Sequence, residues 1–244
     1  MNAYSGYTYK RYKKRKRIFP WVTGILLIIL GAFIANLFLG CVRFGPKPEN
    51  FTTPELVFYA VVSGTYNTRT EAAAQAKSDE HNGLAGFVTA EYLVISEVFL
   101  TERENTREFA VPPTEITLVR KEHKTLFAPL FDKFTENFAW LCAATAEFQT
   151  QKLTPREIAD AAVLRYKTLQ QLAADLDEIQ ERAQSPLYAT TLLALNKQAI
   201  ALYILSTEAA SPNFLHELRR AACTAAFSYH EMTKNLGSRA TPQS

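Results

Sequence analysis

The chain has 244 residues, 48% of them hydrophobic, so it is long enough for one or two small domains with buried cores. Its net charge of +3 is unevenly distributed: the first 42 residues hold seven of the 27 Lys and Arg and none of the 24 Asp and Glu, which leaves the remainder with a net charge of −4. The basic balance therefore does not indicate nucleic-acid binding, and we expect no nucleic acid among the partners.

Residues 1–17 form a basic tail that is too short and too polar to bury a core. Its charges lie directly before an apolar run, which favours a topology signal that contacts lipid head groups. The basic residues are Lys10, Arg11, Lys13, Lys14, Arg15, Lys16 and Arg17.

Residues 18–42 carry no charge, and the part from Trp21 to Leu39 would rise roughly 29 Å as a helix, close to the thickness of a bilayer core. This pattern predicts a single transmembrane helix. A cleaved secretory signal and a buried helix are the alternatives, and Gly40 followed by Cys41 resembles the end of a lipoprotein signal. The one-sided positive charge predicts a cytoplasmic N-terminus, with residues 43–244 on the other side of the membrane.

Residues 43–55 contain three prolines and are predicted to form a short linker. An internal repeat then follows at an offset of 33 residues, in which residues 59–71 match residues 92–104. Each copy ends in Thr-x-x-Glu, a capping box that predicts a helix start at Thr68 and at Thr101. Chance similarity between two amphipathic segments is the alternative.

The repeat predicts an α+β domain over residues 56–121, with helices over about 69–80 and 102–109. Further apolar runs at 84–89 and 115–120 complete the order β-α-β-β-α-β, and we expect a four-stranded, mainly antiparallel sheet with both helices on one face. Strand alternation places every second side chain on the same face of this sheet, and we take one such face as a tentative ligand-binding surface. The candidate residues on that face are Ala60, Val62, Leu93 and Ile95.

The segments 61–66 (VVSGTY) and 92–95 (YLVI), with a capped Ala-rich helix between them, resemble the SPOR (sporulation-related repeat) domain family. The resemblance covers about residues 56–121 and implies a bacterial envelope protein that binds peptidoglycan glycan strands at a division or sporulation site. It also implies a location in the bacterial cell membrane with residues 43–244 extracytoplasmic. Val62, Leu93 and Ile95 stand where the family often has polar residues, so we expect another element or a partner to cover this face.

Residues 126–236 show helical periodicity and no strand pattern, and residues 237–244 form a tail. A hydroxyl residue before proline marks three helix starts, and we predict an antiparallel bundle of four helices over 129–152, 155–183, 186–209 and 212–236. The third of these helices is apolar on more than one face. We expect it to be the most buried, and the alternative is an oligomerisation helix.

Motifs for catalysis are not recognisable: the sequence contains no His-Glu-x-x-His, no Cys-x-x-Cys and no glycine-rich phosphate loop. We therefore expect no enzymatic activity, no cofactor and no metal. Cys142 and Cys223 lie in apolar stretches of the sequence, which is compatible with two buried thiols or with a disulfide between them.

Two functional hypotheses follow. The first is a single-pass membrane protein whose exported module binds glycan strands. The second is a scaffold of a membrane complex in which the sheet is covered and the helical bundle contacts other envelope proteins or a second copy of the chain.

Overall fold

The computed structural model describes residues 49–118, 123–183 and 185–237, which belong to one compact unit. The described residues form an α+β fold with five helices and two small antiparallel sheets. The strands are β1 (Glu49–Thr52), β2 (Leu56–Thr65), β3 (Phe87–Val88), β4 (Leu93–Phe99), β5 (Arg107–Val111) and β6 (Glu115–Leu118). The helices are α1 (Arg69–His81), α2 (Lys124–Gln149), α3 (Pro155–Ala183), α4 (Pro186–Thr207) and α5 (Phe214–Gly237).

The predicted membrane span at 18–42, including Trp21 and Leu39, and the basic cluster at 10–17 lie outside the described residues. Across the described parts of the chain, no helix combines the length and the apolar character needed to cross a bilayer. This finding corrects the predicted fold class, in which a transmembrane helix preceded the α+β module and the bundle. The predicted single-pass localisation, with residues 43–244 extracytoplasmic, is corrected with it.

The larger sheet has four strands in the order β3-β4-β2-β5, and every neighbouring pair is antiparallel. The ten-residue β2 is central because it pairs with β4 along one edge and with β5 along the other. The smaller sheet pairs β1 with β6, so part of the predicted linker at 43–55 is a strand. Gly86 turns the chain into β3 with a positive φ of 52°, at a place where an added Cβ would lie 2.4 Å from the carbonyl oxygen of Ala76.

The second half of the predicted repeat is wrong as a strand-turn-helix unit. Residues 102–106 form a turn rather than a helix start, and the chain then enters β5. Backbone pairing of Arg107–Val111 with β2 replaces the helix that the capping motif predicted. The predicted order β-α-β-β-α-β therefore becomes β-β-α-β-β-β-β before the C-terminal helices.

The two capping motifs should respond differently to mutation. The Thr68 Oγ1 accepts a hydrogen bond from the Glu71 amide at 3.3 Å and caps α1, whereas Thr101 caps no helix. We expect Thr68→Ala to lower the free energy of unfolding by about 1 kcal/mol and Thr101→Ala to leave it nearly unchanged. Chemical denaturation of both variants measures the difference, and an equal loss in both would contradict the asymmetry between the two halves.

The helices of the C-terminal half begin mostly where their caps indicate. Pro155 and Pro186 are the first residues of α3 and α4, as predicted. Thr154 and Glu157 form the reciprocal capping box, since the Thr154 amide donates to the Glu157 carboxylate at 2.8 Å and the Glu157 amide donates to the Thr154 hydroxyl at 3.3 Å. The helix predicted from 129 begins earlier, at Lys124, and the one predicted from 212 begins later, at Phe214.

Helices cover both faces of the four-stranded sheet, but the second module helix that was predicted beside α1 is not formed, because residues 107–111 are β5. The small helix α1 packs its Ala72 and Ala76 against Val94 on one side. On the opposite side, α2 and α5 share a single hydrophobic core with β2, β4 and β5. Phe227 of α5 lies at the centre of this core, 5.2 Å from Phe58 and 5.1 Å from Phe109 between ring centroids. The helices α3 and α4 extend the same core outward.

Candidate interaction surface

The structure brings the four predicted sheet-face residues together and buries three of them completely. Val62 and Ile95 are paired across β2 and β4, and Ala60 and Leu93 lie on the same face. Ala60, Leu93 and Ile95 are buried, and Val62 is half-buried against the core. The covering elements are C-terminal helices of the same chain, so a glycan could reach this face only if those helices moved away.

Polar contacts join α5 to the sheet-forming part of the chain at three positions along the helix. The Arg219 Nε donates to the Glu97 carboxylate at 3.1 Å, and its Nη1 donates to the Gly83 carbonyl at 2.7 Å. One turn earlier, the buried His216 ring contacts the Leu84 carbonyl through Nδ1 at 2.5 Å. These bonds satisfy buried polar atoms on both sides of the junction, so the orientation of α5 on the sheet is well specified.

Tyr229 makes the third polar contact, near the opposite end of α5. Its hydroxyl donates to the carbonyl of Pro54 at 2.6 Å, between β1 and β2. Burial raises the pKa of this hydroxyl well above its usual range, so Tyr229 stays neutral and keeps its proton for the hydrogen bond.

A polar cluster joins α1 to the other face of the sheet. The buried Asp79 carboxylate accepts hydrogen bonds from Ser63 at 2.5 Å, from Ser96 at 3.1 Å and from Gln75 at 2.8 Å. Ser63 and Ser96 are equivalent positions of the predicted 33-residue repeat, and the pairing of β2 with β4 makes them direct neighbours. The carboxylate at the centre of the cluster is closed to solvent, because Asp79 is 4% exposed and Ser96 beside it is 3% exposed. We assign the cluster a structural role.

A small cavity of about 200 Å³ opens where the end of α5 meets β4 and β5. His230 lines it together with Phe109 and Phe227, and an ion pair between Glu91 and Lys234 lies at its edge. Desolvation, helped by the charge of Lys234, lowers the pKa of His230, so the neutral imidazole is favoured. The ring packs edge-on against Phe58 and Phe109, which is the environment of a core histidine.

The two described cysteines are unpaired thiols, so the disulfide alternative does not hold in this structure. Burial raises the pKa of the Cys142 thiol to about 12, and burial also raises that of Cys223. Both thiols are therefore protonated at neutral pH and are weak nucleophiles.

The helix α4 presents a large apolar surface outward, which corrects the prediction that it is the most buried helix. Seven large apolar side chains are exposed among the described residues, and four of them lie on α4. Their spacing of seven, three and one places them on one face of the helix. They are Leu193 (58% exposed), Ile200 (59%), Tyr203 (52%) and Ile204 (40%). The opposite face of α4, with Leu195, Leu202 and Leu205, is fully buried.

Beside this apolar face, a groove of about 450 Å³ runs between α4, α5 and the edge strand β3. Ile200, Ala201 and Ile204 form its α4 wall, and Phe87 and Val88 of β3 lie across from them. Four charged side chains also line it: Lys197, Glu217, Arg220 and Glu231. Apolar walls with charged residues beside them are typical of a protein-binding surface.

The sequence indicated this surface only indirectly. The all-round apolar character of α4 is visible in the sequence, but periodicity does not show which face the bundle leaves open. Glu217, Arg220 and Glu231 were missed because their part in the groove depends on how α5 packs beside α4. His216 and Arg219 were missed because their partners, Leu84 and Gly83, lie more than 130 residues away in the chain.

Within the described residues, no group of three or more His, Cys, Asp or Glu side chains is placed to hold a metal ion. Comparisons with protein-family models, with curated proteins and with solved structures find no match to this chain. They give no support to membership in the SPOR family, or to the roles in sporulation and peptidoglycan binding that the resemblance implied.

Proposed function

We propose that this chain is a non-enzymatic protein-interaction module that binds its partner through the outer face of α4 and the adjoining groove. The observation that carries the proposal is the row of four large apolar side chains on one helix face, each 40–59% exposed. Contiguous exposed apolar surface is uncommon on folded domains and marks sites where another molecule binds.

The shape of the region also supports protein binding. The buried face of α4 is anchored in the core by Leu195, Leu202 and Leu205, so the outer face is presented on a rigid element. The Tyr203 ring packs at a tilt against Tyr166 of α3, with 5.3 Å between the ring centroids, which restricts its motion at the margin of the surface. Rigid aromatic and aliphatic anchors lose little conformational entropy on binding.

The sheet face favours this proposal over ligand binding at Ala60, Val62, Leu93 and Ile95. Those side chains are already packed against the core that α2 and α5 share with the sheet. A partner that binds at the outer face of α4 does not require the helices that cover the sheet to move away.

Site-specific photo-crosslinking in the native cells tests the proposal. A photoreactive amino acid at Ile200 of the full chain should give a discrete protein adduct. The same group at Gln170, an exposed residue of α3, should give little or none. Adding Ile204→Asp to the Ile200 probe should remove the adduct, because it places a charge in the apolar contact. Equal adducts from both probes, or none from Ile200, would contradict the proposal.

A further inference from the structure

The groove between α4 and α5 carries an acid and a base at each of its two ends. At one end, the Lys197 Nζ lies 3.1 Å from the Glu231 carboxylate. Glu217 and Arg220 line the groove three to four turns earlier on α5. The connection between the helices spans only residues 208–213, so α4 and α5 run antiparallel, and this second pair lies toward the Ile204 end.

Such a pattern is complementary to itself. A two-fold axis that crosses the groove near Ile200 and Ala201 exchanges its two ends. It would place Glu231 of one copy opposite Arg220 of the other, and the same pair would form again on the far side of the axis. Closed two-fold dimers are the commonest symmetric assemblies, and they require a surface that matches itself in this way.

We infer that the partner bound at this surface is a second copy of this chain, packed through α4 and α5 about a two-fold axis near Ile200. The inference rests on the proposed function and identifies its partner. A uniformly acidic partner would be repelled by Glu217 and Glu231, and a uniformly basic one by Lys197 and Arg220. A second copy related by the two-fold axis can place an acid opposite each base and a base opposite each acid.

The apolar surface fits the same arrangement. The axis brings the exposed faces of the two α4 helices together, so that Leu193, Ile200 and Ile204 leave water. A stable interface buries roughly 800 Å² on each partner, more than the exposed parts of a few side chains provide. The α5 margin and the short edge strand β3, which line the same groove, supply further contact area.

The charged side chains are available for this contact. The side chain of Arg220 is 51% exposed, and its Nη1 lies 3.6 Å from Glu80, a separation at which a surface ion pair contributes little. The side chain of Lys197 is 46% exposed and that of Glu231 is 26% exposed. None of these groups is held by a buried intramolecular bond that dimerisation would have to break.

Charge reversal in two co-produced, differently tagged copies of the full chain tests the arrangement. Capture of one tag measures the amount of the second copy. Arg220→Glu in both copies, or Glu231→Arg in both copies, places like charges opposite each other twice per dimer and should lower co-capture about tenfold or more. An Arg220→Glu copy combined with a Glu231→Arg copy should recover most of the wild-type co-capture, because every facing pair is then opposite in sign.

Three controls accompany this experiment. Ile200→Asp should abolish co-capture, and Lys167→Glu, a charge reversal on the exposed side of α3, should leave it unchanged. Far-UV circular dichroism should show the same helix content in all variants as in the wild type, since the altered side chains do not lie in the core. Self-association through a different part of the chain would persist in the Ile200→Asp variant, so loss of co-capture in that variant assigns the contact to the α4–α5 surface.

The inference is overturned if wild-type copies do not associate, if the single reversals associate as well as the wild type, or if the mixed pair does not recover. Its failure is distinguishable from failure of the proposed function. Adducts from Ile200 to a different protein, without self-association, would leave the interaction module standing with another partner. Neither adducts nor self-association would reject both.

Discussion

Replacing Phe227 by Ala is expected to lower the free energy of unfolding by about 3–5 kcal/mol, the largest single effect that we predict for this chain. The ring is 2% exposed, and its centroid lies within 5.5 Å of the rings of Phe58, Phe87 and Phe109, one from each of three strands. Its removal would leave a cavity between α5 and the sheet that rigid neighbours cannot fill.

Urea denaturation followed by circular dichroism measures this loss. Leu164→Ala is the matched control, because it also truncates a large apolar side chain in the helical half but at a position on α3 that is 68% exposed. We expect its effect to stay below about 1 kcal/mol. Similar losses in the two variants would mean that α5 does not close the core as the structure shows.

The second large effect is expected at the ion pair between α5 and β4. Arg219→Gln should cost about 3 kcal/mol, because it leaves the Glu97 carboxylate partly buried without its cation and removes the donor to the Gly83 carbonyl. The side chains of Arg219 and Glu97 are only 14% and 15% exposed, so water can compensate for little of this loss.

A lysine of the same helix provides the control for this prediction. Lys234→Gln removes a positive charge from α5, but the side chain is 62% exposed and should contribute less than about 1 kcal/mol. Thermal unfolding of the two variants separates the roles. A stable Arg219→Gln protein, or equal destabilisation by both changes, would show that the junction does not depend on this pair.

The helices α3 and α4 could be located from the sequence because their start signals are local. Proline suits the first position of a helix whatever the rest of the chain does, and Pro155 and Pro186 begin their helices as predicted, although the Ser185 hydroxyl makes no capping hydrogen bond. The Thr-x-x-Glu capping box at Thr101 did not start a helix, because cap energies are small. The backbone pairing that joins residues 107–111 to β2 outweighs one cap.

The 33-residue repeat shows how a sequence pattern can be informative for a reason other than the one inferred. It predicted two equivalent strand-helix units, and only the first has a helix. Its matched positions Ser63 and Ser96 are nevertheless neighbours, since β2 and β4 are paired and both hydroxyls contact Asp79.

The candidate interaction surface could be predicted only in part. The sequence shows that α4 is apolar on more than one face, and an oligomerisation helix was an open alternative. Which face stays exposed depends on the packing of α3 and α5 against it, which is a tertiary property. The charges at the two ends of the groove lie on both α4 and α5, so no pattern within one helix reveals them.

Because α5 follows the sheet by about a hundred residues in the chain, the sheet is synthesised well before the helix that covers it. The last strand ends at Leu118, and Phe227 is made about a hundred residues later. At roughly 5–20 residues per second, the ribosome needs on the order of 5–20 s to produce that stretch. During this time the sheet lacks the helix that closes its core, so the nascent chain passes through an interval in which premature association competes with completion of the fold.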